Sequence, residues 1–354
     1  MKLIDVLQIA VQKGAADIFI IAGQPVTIKV YNQLLTIDNN KLKLEDTESL
    51  MHEIYTCASQ RDMKKLIQTG DDDFSFSVAS LSRFRVSAYR QRGSLAAVIR
   101  VISFNLPHIQ DLNISQDIIN LVDIKKGLIL VTGPAGAGKS TTQACMIDHI
   151  NKTSAKHIIT LEDPIEHLHS HNKSIISQRE ISLDSETYVS GLRATLRQSP
   201  DVILLGEMRD YETISIALTA AETGHTVIST LHTLGAANTI DRIIDIFPAN
   251  QQHQVATQIS MSLETVISQQ LVPTVDGKLI PVFEVMVATP AIKNLIRENK
   301  IHQIDSTISS SSHENMISMD DSLLKAYREG LITEETALTY AINPEVVRRK
   351  MNIK

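Results

Sequence analysis

The sequence predicts an α/β protein of two domains, in which a small α+β domain precedes a larger domain built on a sheet with parallel strands. A chain of 354 residues is long enough for two domains, each with its own hydrophobic core. In the second part of the chain, apolar stretches of strand length alternate with helical stretches, as in parallel sheets joined by crossover helices. The four apolar stretches are 127–132, 157–162, 201–206 and 226–231.

The first part of the chain lacks this alternation, and its pattern indicates helices and mostly antiparallel strands. Helices are predicted over 3–13, 46–57 and 61–69, and strands over 17–22, 26–31, 74–78, 84–88 and 96–102. Gly23 and Pro25 separate the first two strands, which indicates a hairpin. We therefore expect an α+β domain over residues 1–105, a linker over 106–120 and the larger domain over 121–354.

The chain becomes helical again after about residue 250. Helical patterns cover 251–270, 290–298 and 320–329, and we expect a serine-rich loop over Ser306–Ser312. These helices complete the larger domain as a C-terminal helical region.

Composition narrows the class of protein. The formal charge of −6 argues against a dedicated nucleic-acid binder, which usually presents a basic surface. Only Cys57 and Cys145 are present, so the chain can form neither a disulfide framework nor a four-cysteine zinc site. The N-terminus lacks a signal-peptide pattern, and no apolar run approaches the length that spans a bilayer. We expect a cytoplasmic protein whose association with a membrane depends on partners.

The most informative motif is a glycine-rich phosphate-binding loop at Gly133–Ser140, between an apolar strand and a helix. Glycines allow backbone N–H groups and the helix N-terminus to approach a phosphate closely. Lys139 is expected to reach the β- and γ-phosphates, and Ser140 to bind Mg²⁺ through its hydroxyl. The predicted nucleotide-binding residues are Gly133, Pro134, Ala135, Gly136, Ala137, Gly138, Lys139, Ser140 and Thr141. The motif predicts binding of a nucleoside triphosphate.

Three carboxylates, Glu162, Asp163 and Glu166, lie at the end of the second apolar strand. Doubly wound folds bind their ligands at the carboxyl ends of sheet strands. Phosphoryl transfer to water needs a group that orients the water and a metal that spreads the developing charge, and acidic residues can serve both needs. The alternative is a solvated acidic turn.

The next two strands lead to a further carboxylate and to histidines. Glu207 closes the stretch that begins at Asp201, although the common pattern has an aspartate directly at the strand's end; we expect it beside Mg²⁺ and its waters. His225 and His232 flank the last apolar strand, and a histidine there can donate to a γ-phosphate. Taken alone, a histidine at either position is more often a packed, hydrogen-bonded residue.

Together these segments resemble the secretion ATPases of type II secretion and type IV pilus systems, and among them the motors that retract pili. The resemblance runs nearly end to end. In family terms, Gly133–Ser140 is similar to the Walker A segment, Thr160–Glu166 to the Asp box, Val202–Asp210 to Walker B and Gly224–Thr233 to the His box. The resemblance implies a RecA-like P-loop ATPase domain after a PAS-like N-terminal domain, with ATP and Mg²⁺ as ligands.

The resemblance also implies roles for individual residues. Glu166 would orient or deprotonate the attacking water, with Glu162 as the alternative. Glu207 would lie near Mg²⁺, which makes Ser140 and Glu207 the candidate metal ligands, and His232 would lie near the γ-phosphate.

The N-terminal domain carries arginines on its later strands. In the family such arginines are donated to a triphosphate bound between domains or subunits, and Arg83 and Arg92 are our candidates. The alternative is a solvated edge that discourages strand pairing. Phe19 stands where the family is expected to have a histidine, which puts the usual role of that position in doubt.

The implied function is that of a cytoplasmic ATPase motor, a homo-oligomeric ring and by resemblance a hexamer, that couples ATP hydrolysis to type IV pilus retraction. Its partner would be the inner-membrane platform protein of the pilus, and a companion pilus ATPase is a further candidate partner. Two alternatives remain open. One is an accessory ATPase of the same motor, and the other is a ring that translocates nucleic acid, against which the net charge argues.

Two features favour retraction over assembly. The family's assembly ATPases usually carry a four-cysteine zinc site, which two cysteines cannot build. Ala291–Glu298 resembles a segment of retraction motors, with Lys293 in place of an arginine, so the charge is kept but planar bidentate hydrogen bonding is lost. The helix of this segment either packs at the edge of its own domain or docks a partner.

Overall fold

The structure is a computed structural model that describes residues 2–30, 33–102, 106–311 and 315–351. Over these residues the chain forms two compact units. The first consists of the residues up to 102 and the short segment Glu166–Leu168, and the second consists of the remainder. Tyr31, Asn105 and Ser312, at which predicted elements end, lie outside the described residues.

The first unit is built on a six-stranded antiparallel sheet in the order β3–β2–β1–β6–β5–β4. Its elements are α1 (Leu3–Gln12), β1 (Asp17–Ile20), β2 (Thr27–Val30), β3 (Gln33–Thr36), α2 (Leu44–Cys57), α3 (Lys64–Thr69), β4 (Asp71–Val78), β5 (Ser82–Gln91) and β6 (Ser94–Ile102). The predicted α+β arrangement and the β1–β2 hairpin are confirmed.

Alternation of apolar and polar residues explains most of these strands. Phe74 and Phe76 of β4 and Phe84 of β5 are buried in one core, where the rings of Phe76 and Phe84 stack with centroids 5.3 Å apart. The sequence does not predict β3, because all four of its residues are exposed and show no alternation. A strand at the edge of a sheet can form without burying its side chains, because pairing with β2 supplies its hydrogen bonds.

The second unit is built on a seven-stranded sheet in the order β13–β12–β7–β11–β10–β8–β9. Its strands are β7 (Gly127–Thr132), β8 (His157–Glu162), β9 (Ile175–Glu180), β10 (Val202–Leu205), β11 (Thr226–Leu231), β12 (Leu263–Pro273) and β13 (Leu279–Val287). Neighbouring strands are parallel except β13, which is antiparallel to β12. The predicted parallel sheet is confirmed.

Helices connect and cover these strands. They are α4 (Gln116–Asn120), α5 (Lys139–Thr153), α6 (Tyr188–Thr195), α7 (Tyr211–Glu222), α8 (Ala236–Asp245), α9 (Ala249–Ser262), α10 (Pro290–Arg297), α11 (Ile304–Ser310), α12 (Met319–Arg328), α13 (Glu334–Tyr340) and α14 (Pro344–Met351). In the part of the chain that the structure describes, no helix is both long and apolar enough to cross a membrane.

The burial of the central strand β7 explains its continuous apolar sequence. All six of its residues are buried, with Leu128 and Leu130 in the core on one face and Ile129 and Val131 in the core on the other. A strand buried on both faces has a continuous apolar sequence, which is typical of parallel sheets between helices. Because β7, β8, β10 and β11 are parallel, the loops after them meet at one edge of the sheet.

The predicted helix over 251–270 is wrong in its second half. The helix α9 ends at Ser262, and the chain continues as β12. The strand inserts between β7 and β13, where Val266 and Ile267 pair with residues of both neighbours. The local pattern favoured a helix, but these long-range pairings and the β-branched run Thr265–Ile267 decide the structure.

The predicted serine-rich loop is also wrong, because Ser306–Ser310 belong to the helix α11. Ile304 and Ile308, one turn apart, are buried and anchor one face of this helix. The hydroxyls of Ser306 and Ser309 donate to the carbonyls of Gln303 and Asp305, 2.8 and 2.9 Å away. Serines that bond back to the preceding turn are compatible with a short helix.

The segment expected to be a linker contains the short helix α4. Ser115 caps its N-terminus by accepting a hydrogen bond from the N–H of Ile118, 3.4 Å away. Ile118 and Ile119 are buried in the same core as Ile129 and Val131. Residues 115–120 are thus packed into the second unit.

Candidate active site

The phosphate-binding loop joins β7 to α5 and has a backbone shape that glycine adopts readily. Gly133, Gly136 and Gly138 have φ values of 142°, 77° and 85°, where other residues are strained. A Cβ atom on Gly133 would overlap the main-chain carbonyl oxygen of Gln269. The glycines are therefore required by backbone conformation, and at Gly133 also by close packing against β12.

The side chain of Lys139 is buried and lies within this loop. Its Nζ atom donates to the carbonyl oxygens of Gly133 and Pro134, at 2.8 and 2.9 Å, and lies 3.5 Å from Nδ1 of His232. The loop therefore curls around a positive charge. Phosphate oxygens would be stronger acceptors for this ammonium than neutral carbonyls, because they carry negative charge.

The rest of the loop is arranged as a phosphate would require. Pro134, Ala135 and Gly136 form an exposed tip, and Gly138, the N-cap residue of α5, has no side chain to occupy the helix N-terminus. A helix N-terminus without a capping side chain is a favourable place for an anion. Ser140 and Thr141 are half-buried in the first helical turn, where the Ser140 hydroxyl is an oxygen ligand of the kind Mg²⁺ prefers.

The turn after β10 is held by its two neighbouring strands. The N–H of Gly206 donates to the carbonyl of Leu161, 2.8 Å away, and the N–H of Met208 donates to the carbonyl of Thr230, 3.1 Å away. The Thr230 hydroxyl in turn donates to the carbonyl of Gly206 at 2.6 Å. These bonds fix the backbone on both sides of Glu207, so the direction of that acidic side chain is set by the sheet.

Glu207 is the predicted acid that contacts the same histidine as Lys139 does. Its side chain is 12% exposed; Oε1 lies 2.6 Å from Nε of Arg209, and Oε2 lies 3.5 Å from Nε2 of His232. Because the other ring nitrogen of His232 faces Lys139, the structure brings Lys139, His232 and Glu207 together in one row. Two of these positions suit the proposed chemistry: a cation for phosphate and a carboxylate for a metal.

The two histidines around β11 have different environments. His232 follows the carboxyl end of the strand, and its side chain is 54% exposed. His225 precedes the amino end, at the opposite edge of the sheet, where Nδ1 lies 3.0 Å from the carbonyl oxygen of Ala220. The packed, hydrogen-bonded interpretation therefore fits His225, and only His232 belongs to the site.

The two candidate carboxylates at the end of β8 and in the loop after it also have different environments. Oε1 of Glu162 accepts hydrogen bonds from the Thr160 hydroxyl at 2.6 Å and from Nε2 of Gln178 at 3.3 Å, both on the same sheet edge. Glu166 is exposed in the loop that follows and lies in the short segment grouped with the first unit. Which of the two carboxylates orients water stays a prediction.

Tyr188, at the start of α6, is a site residue that the sequence analysis missed. Burial raises the pKa of its hydroxyl well above the usual range, and the negative charges of Glu207, Asp163 and Glu162 raise it further. A Cβ atom on Gly206 would lie 2.8 Å from this hydroxyl. The tyrosine hydroxyl therefore lies close to the turn that carries Glu207, and no sequence motif marks this residue.

The two candidate arginines lie in the first unit. Arg83 of β5 is half-buried, and its Nη1 atom lies 3.4 Å from the Ser77 hydroxyl. Arg92 is exposed in the turn between β5 and β6, with a φ of 47° in the left-handed region. A role for either arginine at a nucleotide stays a prediction.

A family model described as type II/IV secretion system protein matches residues 1–280. The chain belongs to this family. The type IV pilus retraction ATPase PilT of Pseudomonas aeruginosa is 41% identical over 98% of this chain and 99% of its own. The type IV pilus ATPase PilU of the same organism is 38% identical over 96% of this chain and 89% of its own.

A solved structure of a secretion ATPase has the same fold. The crystal structure of the pilus retraction motor PilT with bound ADP is 43% identical, covers 99% of both chains and has a TM-score of 0.89. The predicted family and α/β fold class are therefore confirmed.

In the present chain, the segment that resembles retraction motors forms α10. Ile292 and Ile296 are buried in the core of the second unit, so the apolar face packs against its own domain. Nζ of Lys293 lies 2.9 Å from Oε1 of Glu264, while Arg297 is exposed. Of the two interpretations of this helix, packing accounts for its apolar face, and only the charged face remains for a partner.

Proposed function

We propose that this protein is a Mg²⁺-dependent ATPase that drives retraction of type IV pili. The observation that carries the proposal is the row formed by Lys139, His232 and Glu207 beside the phosphate-binding loop. Support also comes from PilT of Pseudomonas aeruginosa, a pilus retraction ATPase by name, and from the ADP bound in the solved PilT structure.

Each residue of the site has a different proposed role in phosphoryl transfer. The loop N–H groups and Lys139 would hold the β- and γ-phosphates, while Ser140 and Glu207 would hold Mg²⁺ directly or through its waters. The metal supplies positive charge that offsets the charge developing on the phosphate oxygens. Glu166, or Glu162 in its place, orients the attacking water, and His232 contacts the γ-phosphate.

The motor proposed here is a hexameric ring in the cytoplasm, at the inner face of the cytoplasmic membrane. In a closed ring each nucleotide site can be completed by a neighbouring subunit, which is the role proposed for Arg83 and Arg92. Turnover would change the angle between the two units of each subunit and move the inner-membrane platform protein of the pilus.

A second candidate is an accessory ATPase of the same motor. The observation behind it is the 38% identity to PilU over 96% of this chain, only slightly below the identity to PilT. An accessory subunit would bind ATP but hydrolyse it slowly by itself, and a companion motor would compensate for its loss.

The experiment is a deletion strain scored for surface pili and twitching, complemented with the wild-type gene and with Lys139→Ala. We expect excess pili and no twitching in the deletion, rescue by the wild type, and no rescue by Lys139→Ala. Cells without pili would indicate an assembly motor and contradict the proposal. If the deletion strain has normal pili and twitching, and loses them only when a companion ATPase gene is also deleted, the accessory role is favoured.

A further inference from the structure

Two adjacent glutamines, Gln269 and Gln270, are buried on β12 next to the phosphate-loop strand β7. They are 2% and 8% exposed. A buried side-chain amide is costly unless its oxygen and nitrogen find hydrogen-bond partners. Because successive residues of a strand point to opposite faces, the two amides serve different parts of the molecule.

Gln269 contacts the phosphate-binding loop at both of its ends. Its main-chain carbonyl oxygen lies 2.1 Å from the position of a Cβ atom on Gly133, and its Nε2 atom lies 2.9 Å from the position of a Cβ atom on Gly138. Its Oε1 atom accepts a hydrogen bond of 2.7 Å from the hydroxyl of Thr142, which is buried in α5. One residue therefore touches the first glycine, the last glycine and the helix that follows.

We propose that Gln269 is a positioning residue for nucleotide binding, which holds the phosphate loop and the start of α5 in the shape that receives a polyphosphate. The tip at 134–136 is exposed, whereas both ends of the loop contact Gln269. N–H groups bind an anion well only when their directions are fixed in advance, because otherwise ordering them opposes binding. The inference rests on the proposed binding of nucleotide at this loop.

Gln270 provides the matched control. Its Nε2 atom donates to the carbonyl oxygen of Tyr340, 3.3 Å away at the end of α13, and not to the phosphate loop. Loss of this bond should disturb the same strand to a similar degree without altering the loop. A comparison of the two positions therefore separates positioning of the loop from general stability of β12.

The experiment measures binding of fluorescently labelled ADP, the KM and kcat for ATP, and the melting temperature without nucleotide. The variants are Gln269→Met, Thr142→Val, the double variant and Gln270→Met, each close in volume to the original residue. We expect Gln269→Met to raise Kd and KM about fivefold, as loss of one buried hydrogen bond implies, with kcat within about twofold of wild type. Thr142→Val should act in the same direction, the double variant should be no worse than Gln269→Met, and Gln270→Met should bind as the wild type does.

The inference is overturned if Gln269→Met binds ADP with the wild-type Kd, or if Gln270→Met weakens binding equally. A purely structural role would lower the melting temperature and leave Kd unchanged. If Gln269→Met does not fold, Thr142→Val decides by the same criterion, because it removes the same hydrogen bond. Failure of the wild-type protein to bind ADP or ATP would contradict the proposed function itself, which is a distinguishable result.

Discussion

Nε2 of His232 lies 3.5 Å from Oε2 of Glu207, which joins the loops after β11 and β10 at the carboxyl edge of the sheet. The other ring nitrogen of His232 lies equally close to the ammonium of Lys139. A single imidazole therefore connects the phosphate-binding lysine to the acid that we place beside Mg²⁺. Replacing either Lys139 or Glu207 would therefore remove a direct contact of this imidazole.

Replacing Glu207 should separate nucleotide binding from metal-dependent turnover. We expect Glu207→Gln to lower ATPase activity about 10- to 100-fold at a fixed Mg²⁺ concentration, because one metal-proximal carboxylate charge is lost. A Mg²⁺ titration of the ATPase rate measures the effect. Glu212→Gln is the control, because Glu212 is an exposed acid of the nearby α7 that pairs with Arg193. Equal rates and equal Mg²⁺ dependence in the two variants would remove Glu207 from the metal site.

The two carboxylates after β8 should differ in their effect on hydrolysis. We expect Glu166→Gln to reduce kcat about 10²- to 10³-fold with ATP binding retained, as for the loss of a group that orients or deprotonates water. Glu162→Gln should have a smaller effect, because Thr160 and Gln178 already hold its carboxylate within the sheet edge. Single-turnover hydrolysis and equilibrium binding of ATP give both quantities. The reverse ranking would transfer the role to Glu162.

If an arginine acts on a neighbouring subunit's nucleotide, mixing two kinds of inactive subunit should restore ATPase activity. We expect Arg92→Ala, or Arg83→Ala, to lower kcat about 10³-fold. Arg85→Ala, an exposed arginine on the strand of Arg83, is the control. Mixed with Lys139→Ala subunits, the arginine variant should regain activity, because about a quarter of the sites in a random ring combine an intact loop with an intact arginine. Mixtures without activity would contradict donation between subunits.

Stability of the first unit should fall in acid because of Asp72. Its side chain is fully buried and accepts hydrogen bonds from Arg61 at 2.9 Å and Tyr55 at 3.0 Å, with the Lys65 ammonium 3.2 Å away. Burial alone would raise the pKa of this carboxyl, but the hydrogen bonds from Arg61, Lys65 and Tyr55 outweigh burial and lower it. A depressed native pKa contributes stability above the unfolded value of about 4, and this contribution is lost as the pH falls through the native value.

The measurement for Asp72 is hydrogen-exchange protection of the β4 amides from pH 7 to pH 3. We expect Asp72→Asn to cost about 2–3 kcal/mol at pH 7, below the range for fully buried pairs because Arg61 and Lys65 are partly exposed. The difference from wild type should shrink below about pH 4 as the wild-type carboxyl protonates. A difference that stays constant over this range would show that the ionised carboxylate does not contribute.

Much of the site was predictable because parallel topology makes sequence motifs converge. Lys139, Glu207 and His232 each follow the carboxyl end of a buried apolar strand, and such strands are identifiable from continuous apolar sequence. Once the strands are parallel, their loops must meet at one edge. The sequence, together with the family resemblance, therefore predicts that these three residues share one site.

The rest of the site depends on contacts that no local pattern contains. Gln269 and Thr142 are 127 positions apart, and Gln269 fell within a predicted helix, so its contact with the phosphate loop could not be anticipated. Tyr188 was missed because its place over Gly206 follows from packing of α6 on the sheet. The edge strand β9 was missed as well, because only Ile176 and Glu180 of its six residues are buried. Strand pairing and tertiary packing, not propensity, determine all three.

The most direct test of the account is the steady-state rate of ATP hydrolysis by the purified wild-type protein and by Lys139→Ala, with and without Mg²⁺. The ammonium of Lys139 donates hydrogen bonds to the carbonyls of Gly133 and Pro134. We predict that during turnover it donates to phosphate oxygens instead. The account predicts Mg²⁺-dependent hydrolysis by the wild type and none above background by Lys139→Ala. Normal turnover by Lys139→Ala would contradict it.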